Sequence, residues 1–197
     1  MPQSEKKFLF SDSLLAKLSL LSFFLVTFVS CARHDIKPQS SQAPAQLTKA
    51  AKIYVSIPED GNYYENKPYV GSGKMVAAAL VSELGKYANK VFMGVQAENM
   101  SQATLTAQKL STRYLFFSEI LHWEDRATEW SGKPDRLEIK VKIVEVSNKR
   151  LLDQTILTGN SSFFTLGGDH PQDMLPKIVN DYIVLLFKGN QVDVFSE

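Results

Sequence analysis

The densest run of chemically capable side chains is His122-Trp123-Glu124-Asp125-Arg126-Ala127-Thr128-Glu129-Trp130. Its paired carboxylates, Asp125 and Glu129, and its tryptophans are the parts of a glycan site. Two carboxylates serve as acid and base or nucleophile, and an indole face stacks on a sugar. The same residues also suit a protein-binding arm, with Trp123, Glu124, Asp125, Arg126, Glu129 and Trp130 as contacts. Other chemistries have less to work with. Gly71-Ser72-Gly73-Lys74 falls short of a phosphate loop, because GxxxxGK[ST] asks for glycine at position 68 and Ser or Thr at position 75, where the chain has Pro68 and Met75. The three histidines, His34, His122 and His170, lack a metal-ligand spacing, and no serine sits in a GxSxG setting. No metal, cofactor or catalytic role is therefore expected.

The elements around this run constrain it. As a single strand, residues 114–130 would run over about 50 Å, too long for one sheet of a small domain. The stretch 122–130 must be a projecting hairpin arm or a strand broken by a bulge. A hairpin folded about Lys133 puts Trp123, Asp125, Ala127 and Glu129 on the face of Leu137, Ile139, Val141 and Ile143. It also sets Glu124 opposite Lys142 and Trp130 opposite Arg136. Asp125 and Glu129 then point at an apolar face, which is costly for unpaired carboxylates. Three resolutions stay open: a bulge that re-aims them, Arg126 or another cation that meets them, or catalytic use. The tryptophans are seven apart, so a regular strand faces them opposite ways; a bulge would let both pack in the core.

Elsewhere the pattern predicts one α/β (α+β) domain with a mixed sheet. Residues 53–57 (IYVSI) and 91–95 read as short strands, and 114–121 (YLFFSEIL) as a central strand covered on both sides. Two helices lie between them. Ser72 is the expected N-cap of the first, whose stripe runs through Val76, Leu80 and Leu84; Ser101 is the expected cap of the second. Strand, helix, strand, helix, strand implies parallel pairing in the first half. The second half alternates as an antiparallel hairpin through Leu137, Ile139, Val141 and Ile143, and turns at Ser147-Asn148-Lys149 into residues 151–164. A last helix follows, with Asp169-His170-Pro171 as its cap, Pro176 in its first turn and Leu175, Ile178, Val179, Tyr182, Ile183 and Leu186 facing the core.

The 197 residues suffice for one such domain. With 22 Lys plus Arg against 21 Asp plus Glu, the chain is not a bulk-charge nucleic-acid binder. The single cysteine excludes a disulfide-stapled fold. Lys6, Lys7 and Lys17 precede the apolar run 18–29 (LSLLSFFLVTFV), the grammar of a secretory signal in residues 1–30 and too short for a comfortable membrane span. Phe28-Val29-Ser30-Cys31 resembles a bacterial lipobox, with Phe28 where Leu is usual. The resemblance implies cleavage before Cys31 and acylation of that cysteine, palmitate included. Ala32, rather than Asp, implies the outer membrane, with the domain facing the periplasm. Cleavage leaves 19 basic and 19 acidic residues. Residues 31–51, the cysteine and a Ser/Gln/Pro/Ala-rich stretch, read as a flexible tether reaching at most about 70 Å. The globular domain is expected over 52–197.

Three segments carry a further resemblance: HWEDRATEWSGKPDR (122–136), GGDHPQDMLP (167–176) and PEDGNYY (58–64). They resemble a family of proteobacterial lipoproteins catalogued as domain of unknown function 4823, over about 53–190. That family brings no established activity and transfers no catalytic residue. The order of elements is more distantly similar to the amino-terminal domain of the Tol translocation protein, the penicillin-binding-protein activator lipoprotein and the curli-secretion lipoprotein. These imply a binding or assembly role: a protein partner in the envelope, membrane attachment through the lipid, no nucleic acid, and a homo-oligomer as a further option.

Overall fold

A computed structural model describes residues 33–39, 45–63, 67–125, 134–161 and 170–188. Eight strands and three helices follow in the order β1 (Arg33–Pro38), β2 (Lys52–Ile57), β3 (Asn62–Tyr63), β4 (Lys67–Pro68), α1 (Ser72–Leu84), β5 (Lys90–Ala97), α2 (Met100–Lys109), β6 (Tyr114–Glu124), β7 (Arg136–Glu145), β8 (Arg150–Asn160) and α3 (Pro171–Lys188). Six strands form one mixed sheet in the order β1-β8-β7-β6-β2-β5, and β3 and β4 pair separately. β2 is parallel to both β5 and β6, whereas β6, β7, β8 and β1 pair antiparallel. The fold is the expected mixed α+β sheet, parallel in its first half and antiparallel in its second.

Hydrophobic patterning explains the layering. β7 alternates buried and half-buried residues, so Leu137, Ile139, Val141 and Ile143 line one face. α1 and α3 cover that face. Leu80 and Leu84 from α1 and Ile178, Tyr182, Ile183 and Leu186 from α3 are almost wholly buried there. Each such apolar side chain contributes roughly 1.5–3 kcal/mol by leaving water. α2 covers the other face over β2 and the first half of β6, where Ala103 and Ala107 meet Tyr54, Leu115 and Phe117. β6 is therefore apolar on both sides up to Ser118, as a central strand should be. Beyond α2 the uncovered face carries Glu119, bridged by Lys140 at 2.6 Å and Lys142 at 3.0 Å.

Four expectations are corrected. First, the domain does not begin at residue 52. Residues 33–38 are an edge strand paired with β8 from Arg33↔Asn160 to Pro38↔Thr155, and Leu47 and Ala51 are buried. β1 has one half-buried apolar residue, Ile36, and so no hydrophobic alternation to announce it. Backbone pairing and a hydrogen-bonded contact, His34 Nε2 to Asp181 Oδ2 at 2.7 Å, hold it. Second, Ser72 does not cap α1. Gly71 occupies the cap position at φ 91°, a conformation open to glycine, and the Ser72 hydroxyl accepts from the Gly61 N–H. Third, α2 is capped by Asn99, not Ser101: its side chain accepts from Gln102 N–H while the Gln102 side chain accepts from Asn99 N–H, a capping box. Fourth, α3 starts at Pro171, which leaves Pro176 inside the helix rather than in its first turn.

The real cap of α1 comes from outside the helix. Asp60 accepts from Gly71 N–H at 2.9 Å and from Gly73 N–H at 2.8 Å. The phosphate-loop-like glycines thus hold the chain's own carboxylate at a positive helix end. Gly73 is needed for this approach, since a Cβ there would lie 2.2 Å from the Pro58 carbonyl oxygen. Asp60→Ala is expected to lower unfolding free energy by about 2 kcal/mol, the worth of charge-assisted bonds lost. Gly73→Ala is expected to destabilise as well, through a clash with backbone. Urea midpoints at constant m-value check both; an unchanged midpoint for Asp60→Ala would deny the cap its role.

Candidate functional site

The end of the sheet where β6 meets β7 is built by a register shift. Up to Ile120↔Ile139 the strands pair in one frame; from His122↔Glu138 they pair one residue on, with Leu121 as the extra residue. The expected fold about Lys133 is wrong in register by six positions at Glu124, more than a one-residue bulge shifts it. Glu124 lies opposite Arg136, not Lys142, and Lys142 lies opposite Phe117. The shift puts Trp123 opposite Leu137, on the face that α1 and α3 cover. Trp123 is fully buried, with its ring centroid 5.5 Å from that of Tyr69. Gly61 packs against it so closely that a Cβ would sit 2.8 Å from the Trp123 Cβ. The Trp123 Nε1–H is buried with no acceptor among the described residues. Trp123 is a core residue; Trp130 lies outside the described residues.

Two residues further on, Asp125 is also drawn in. Its carboxylate lies 3.0 Å from His170 Nδ1, with 12% of its side chain exposed against 40% for the imidazole. Asp135, buried at the start of the β7 arm, is tied to the end of β8: its N–H donates to Ser161 Oγ at 2.8 Å, and its carbonyl accepts from Ser161 N–H at 3.1 Å. Asp125, Asp135 and His170 offer ligand atoms within 4.8 Å of one another. A divalent ion such as Zn²⁺ or Mn²⁺ suits that nitrogen and oxygen set. A proton on His170 supplies positive charge at the same place. The hydrogen bond to Asp125 raises the His170 pKa above its ordinary value, against a smaller desolvation cost, and the charges of Asp125, Asp173 and Asp135 add to the rise.

The structure separates the residues singled out by sequence. Trp123 is core, Asp125 is held by His170, and Glu124 is half-buried, with His122 Nδ1 3.4 Å from its carboxylate. His122 also lies 3.8 Å from Glu138. Arg126, Glu129 and Cys31 lie outside the described residues. Of the three resolutions for Asp125, the described residues supply a partner in His170, whose raised pKa favours the protonated imidazole; Arg126 lies outside them. The bulge acts in the opposite sense to the one expected: it turns Asp125 inward. Asp135 and His170 were read only as turn and cap residues. One signal pointed to them. The segments 122–136, 167–176 and 58–64, singled out together, meet here through Asp125–His170 and Trp123–Gly61.

A second feature opens at the carboxyl ends of β2 and β5, where ligands sit in open α/β sheets. It is an open cleft of about 400 Å³ lined by Ile57, Pro58, Glu59, Lys74 and Val95 among others. Asp60 lies in its wall, already engaged in capping α1.

This architecture defines a class, a small mixed α+β domain with a thiol-free core and a signature cluster at one end of its sheet. The chain belongs to the family described as a domain of unknown function (DUF4823), which it matches over residues 45–186. None of the curated proteins matches it. Among solved structures it is similar to PelC from Paraburkholderia phytofirmans, a dodecamer in two crystal forms. Both share 12% identity with it, at TM-scores of 0.57 and 0.56, covering 79% and 76% of this chain and 98% and 97% of PelC. The lipoprotein GNA1162 from Neisseria meningitidis is similar over 68% of this chain and 96% of its own, at 13% identity and a TM-score of 0.46. At these identities the likeness to PelC is one of fold.

The His170–Asp125 pair has a pH signature. A raised folded pKa adds stability that is fully present below the unfolded histidine value of about 6.5 and is lost as pH rises through the folded value. The wild-type melting temperature should therefore exceed that of His170→Ala by more at pH 6 than at pH 8.5. A gap that is the same at both pH values would show that the imidazole contributes only packing.

Proposed function

We propose that the chain is an outer-membrane lipoprotein, anchored through acylated Cys31, whose periplasmic domain binds or regulates another envelope component without catalysing a reaction. The anchor rests on the basic-apolar-Cys31 grammar and the lipobox. Among the described residues, no helix is long and apolar enough to cross a membrane. The observation carrying the non-enzymatic reading is the state of Asp125. A glycan hydrolase asks for two carboxylates converging in an open cleft. Asp125 is instead mostly covered and engaged by His170, and Glu129 lies outside the described residues.

The partner-binding surface is placed on the 122–136 arm, with Glu124 and Arg126 as its polar contacts. Assembly with further copies is a second reading, favoured by one feature. β5 is an edge strand that leaves Val95 97% exposed and Met93 38% exposed, and such edges are templates for association. The PelC fold relative is itself a dodecamer.

Cys31→Ser should move the protein from the membrane to the soluble fraction and remove the acyl mass from its amino-terminal peptide. In crosslinked cells, Glu124→Ala with Arg126→Ala should cut partner recovery several-fold; full recovery would make the arm structural. Light scattering of residues 32–197 decides the second reading, which a monomer mass would refute.

A further inference from the structure

The residue that starts the sheet follows the proposed anchor almost at once. Arg33 pairs with Asn160, Asn160 with Arg136, and Arg136 with Glu124. The first residues of β1 and β7 and the last of β8 and β6 thus stand in one row. Cys31 is two peptide steps from Arg33, a reach of about 7 Å at most. β1 is not a loose arm that could lengthen this leash. It makes six residue pairs with β8, and His34 holds Asp181, which Lys177 also holds at 3.0 Å.

We propose that this row is the face of the domain that rests on the bilayer, with phospholipid headgroups as its occupant. The proposal builds on acylation of Cys31. The leash length carries it. Three strand spacings separate β1 from β6, about 14 Å or twice the leash, so the leash holds the Arg33 corner of the row at the surface and the row lies flat from that corner. Arg33 is exposed, and Arg136 is partly exposed while bonded to Glu138; guanidinium groups are suited to phosphate oxygens. The opposite end, the turn at 146–149, lies about 30 Å away along β7. It carries exposed Lys52, Lys90, Lys109, Arg113, Lys149 and Arg150. Charge alone would press that basic end onto anionic lipid, so anchor and charge favour opposite orientations. The anchored orientation turns the basic end outward and sets the Asp125–Asp135–His170 cluster beside the headgroups.

The test uses the acylated full-length protein in phosphatidylethanolamine/phosphatidylglycerol vesicles doped with a nitroxide-headgroup lipid. Cys31 is the only native cysteine and its thiol is consumed by acylation, so one introduced cysteine takes a fluorophore uniquely. Pro134→Cys reports the Arg33 end and Ser147→Cys the basic end; both positions are exposed. Arg33→Cys is the covalently fixed reference. Quenching at 134 should approach that at 33 and exceed that at 147 at least threefold. Equal quenching at 134 and 147, as for a domain lying on its β1 edge or freely tumbling, overturns the proposal, and so does stronger quenching at 147. Failure of the anchor itself reads differently: the protein does not float with the vesicles and residue 31 carries no acyl mass. Melting curves that match the wild type show that each labelled variant is folded. If Pro134→Cys melts early, Asn160→Cys replaces it with the same expected outcome.

Discussion

One extra residue, Leu121, decides what the tip of this fold presents. Side chains alternate along a strand, so inserting a residue exchanges the two faces for everything beyond it. Before the bulge Tyr114 and Phe116 point at α1 and α3; after it Trp123 does. Without it, His122 and Glu124 would enter the apolar layer and the indole would leave it. The bulge therefore fills the space under Tyr69 and Gly61 with the largest side chain available. In doing so it carries Asp125 inward with Trp123, and a half-buried carboxylate needs an answer. His170 gives it from the start of α3, 45 positions away. Core packing and the polar cluster are two results of one backbone irregularity.

The gathering of acids at this end has a common cause. α1, α2 and α3 all begin here, since α1 and α2 follow the ends of β2 and β5, and His170, just before α3, lies beside the end of β6. Three positive helix ends face the same way. Asp60 answers the first, the Asn99–Gln102 box the second, and Asp173 in the first turn the third. Bases collect where helices end, as Lys109 and Lys188 do in their last turns. The formal net charge of the chain is only +1, so this sorting along the helices is not a matter of overall charge. A carboxylate-rich region in such a fold is first a set of caps, which weakens the argument for catalysis from acidic residues alone.

What sequence could reveal follows from how each feature is held. β7, β6, α1 and α3 are held by burial, and burial leaves a period in the sequence: two for β7, a continuous run for β6, a helical stripe for α1 and α3. β1 is held by backbone hydrogen bonds and one His–Asp pair, which leave no period, so it read as tether. The register of β6 on β7 depends on a bulge inside a plain apolar run, and a symmetrical hairpin about Lys133 misplaced Glu124 by six positions. Asp60 as the cap of α1 and His170 as the partner of Asp125 are contacts between distant segments, invisible to local spacing. The family-like segments were visible, but only the fold shows that they touch.

The scaffold itself says little about the task. A fold shared with PelC at 12% identity is a frame on which different sites are grafted. The separation of Cys31 from the sheet is more informative: β1 begins two residues after it. A twenty-residue leash would let the domain search about 70 Å of the envelope. On the proposed acylation of Cys31, a leash of two residues would hold one end of the sheet at the surface and keep the domain from reaching a distant partner. On that proposal a partner would either share the membrane surface beside the Trp123–Asp125–His170 end or approach the outward basic end. On that reading the position of β1 bears more directly on function than any single side chain of the cluster, because it would decide which residues a partner can meet.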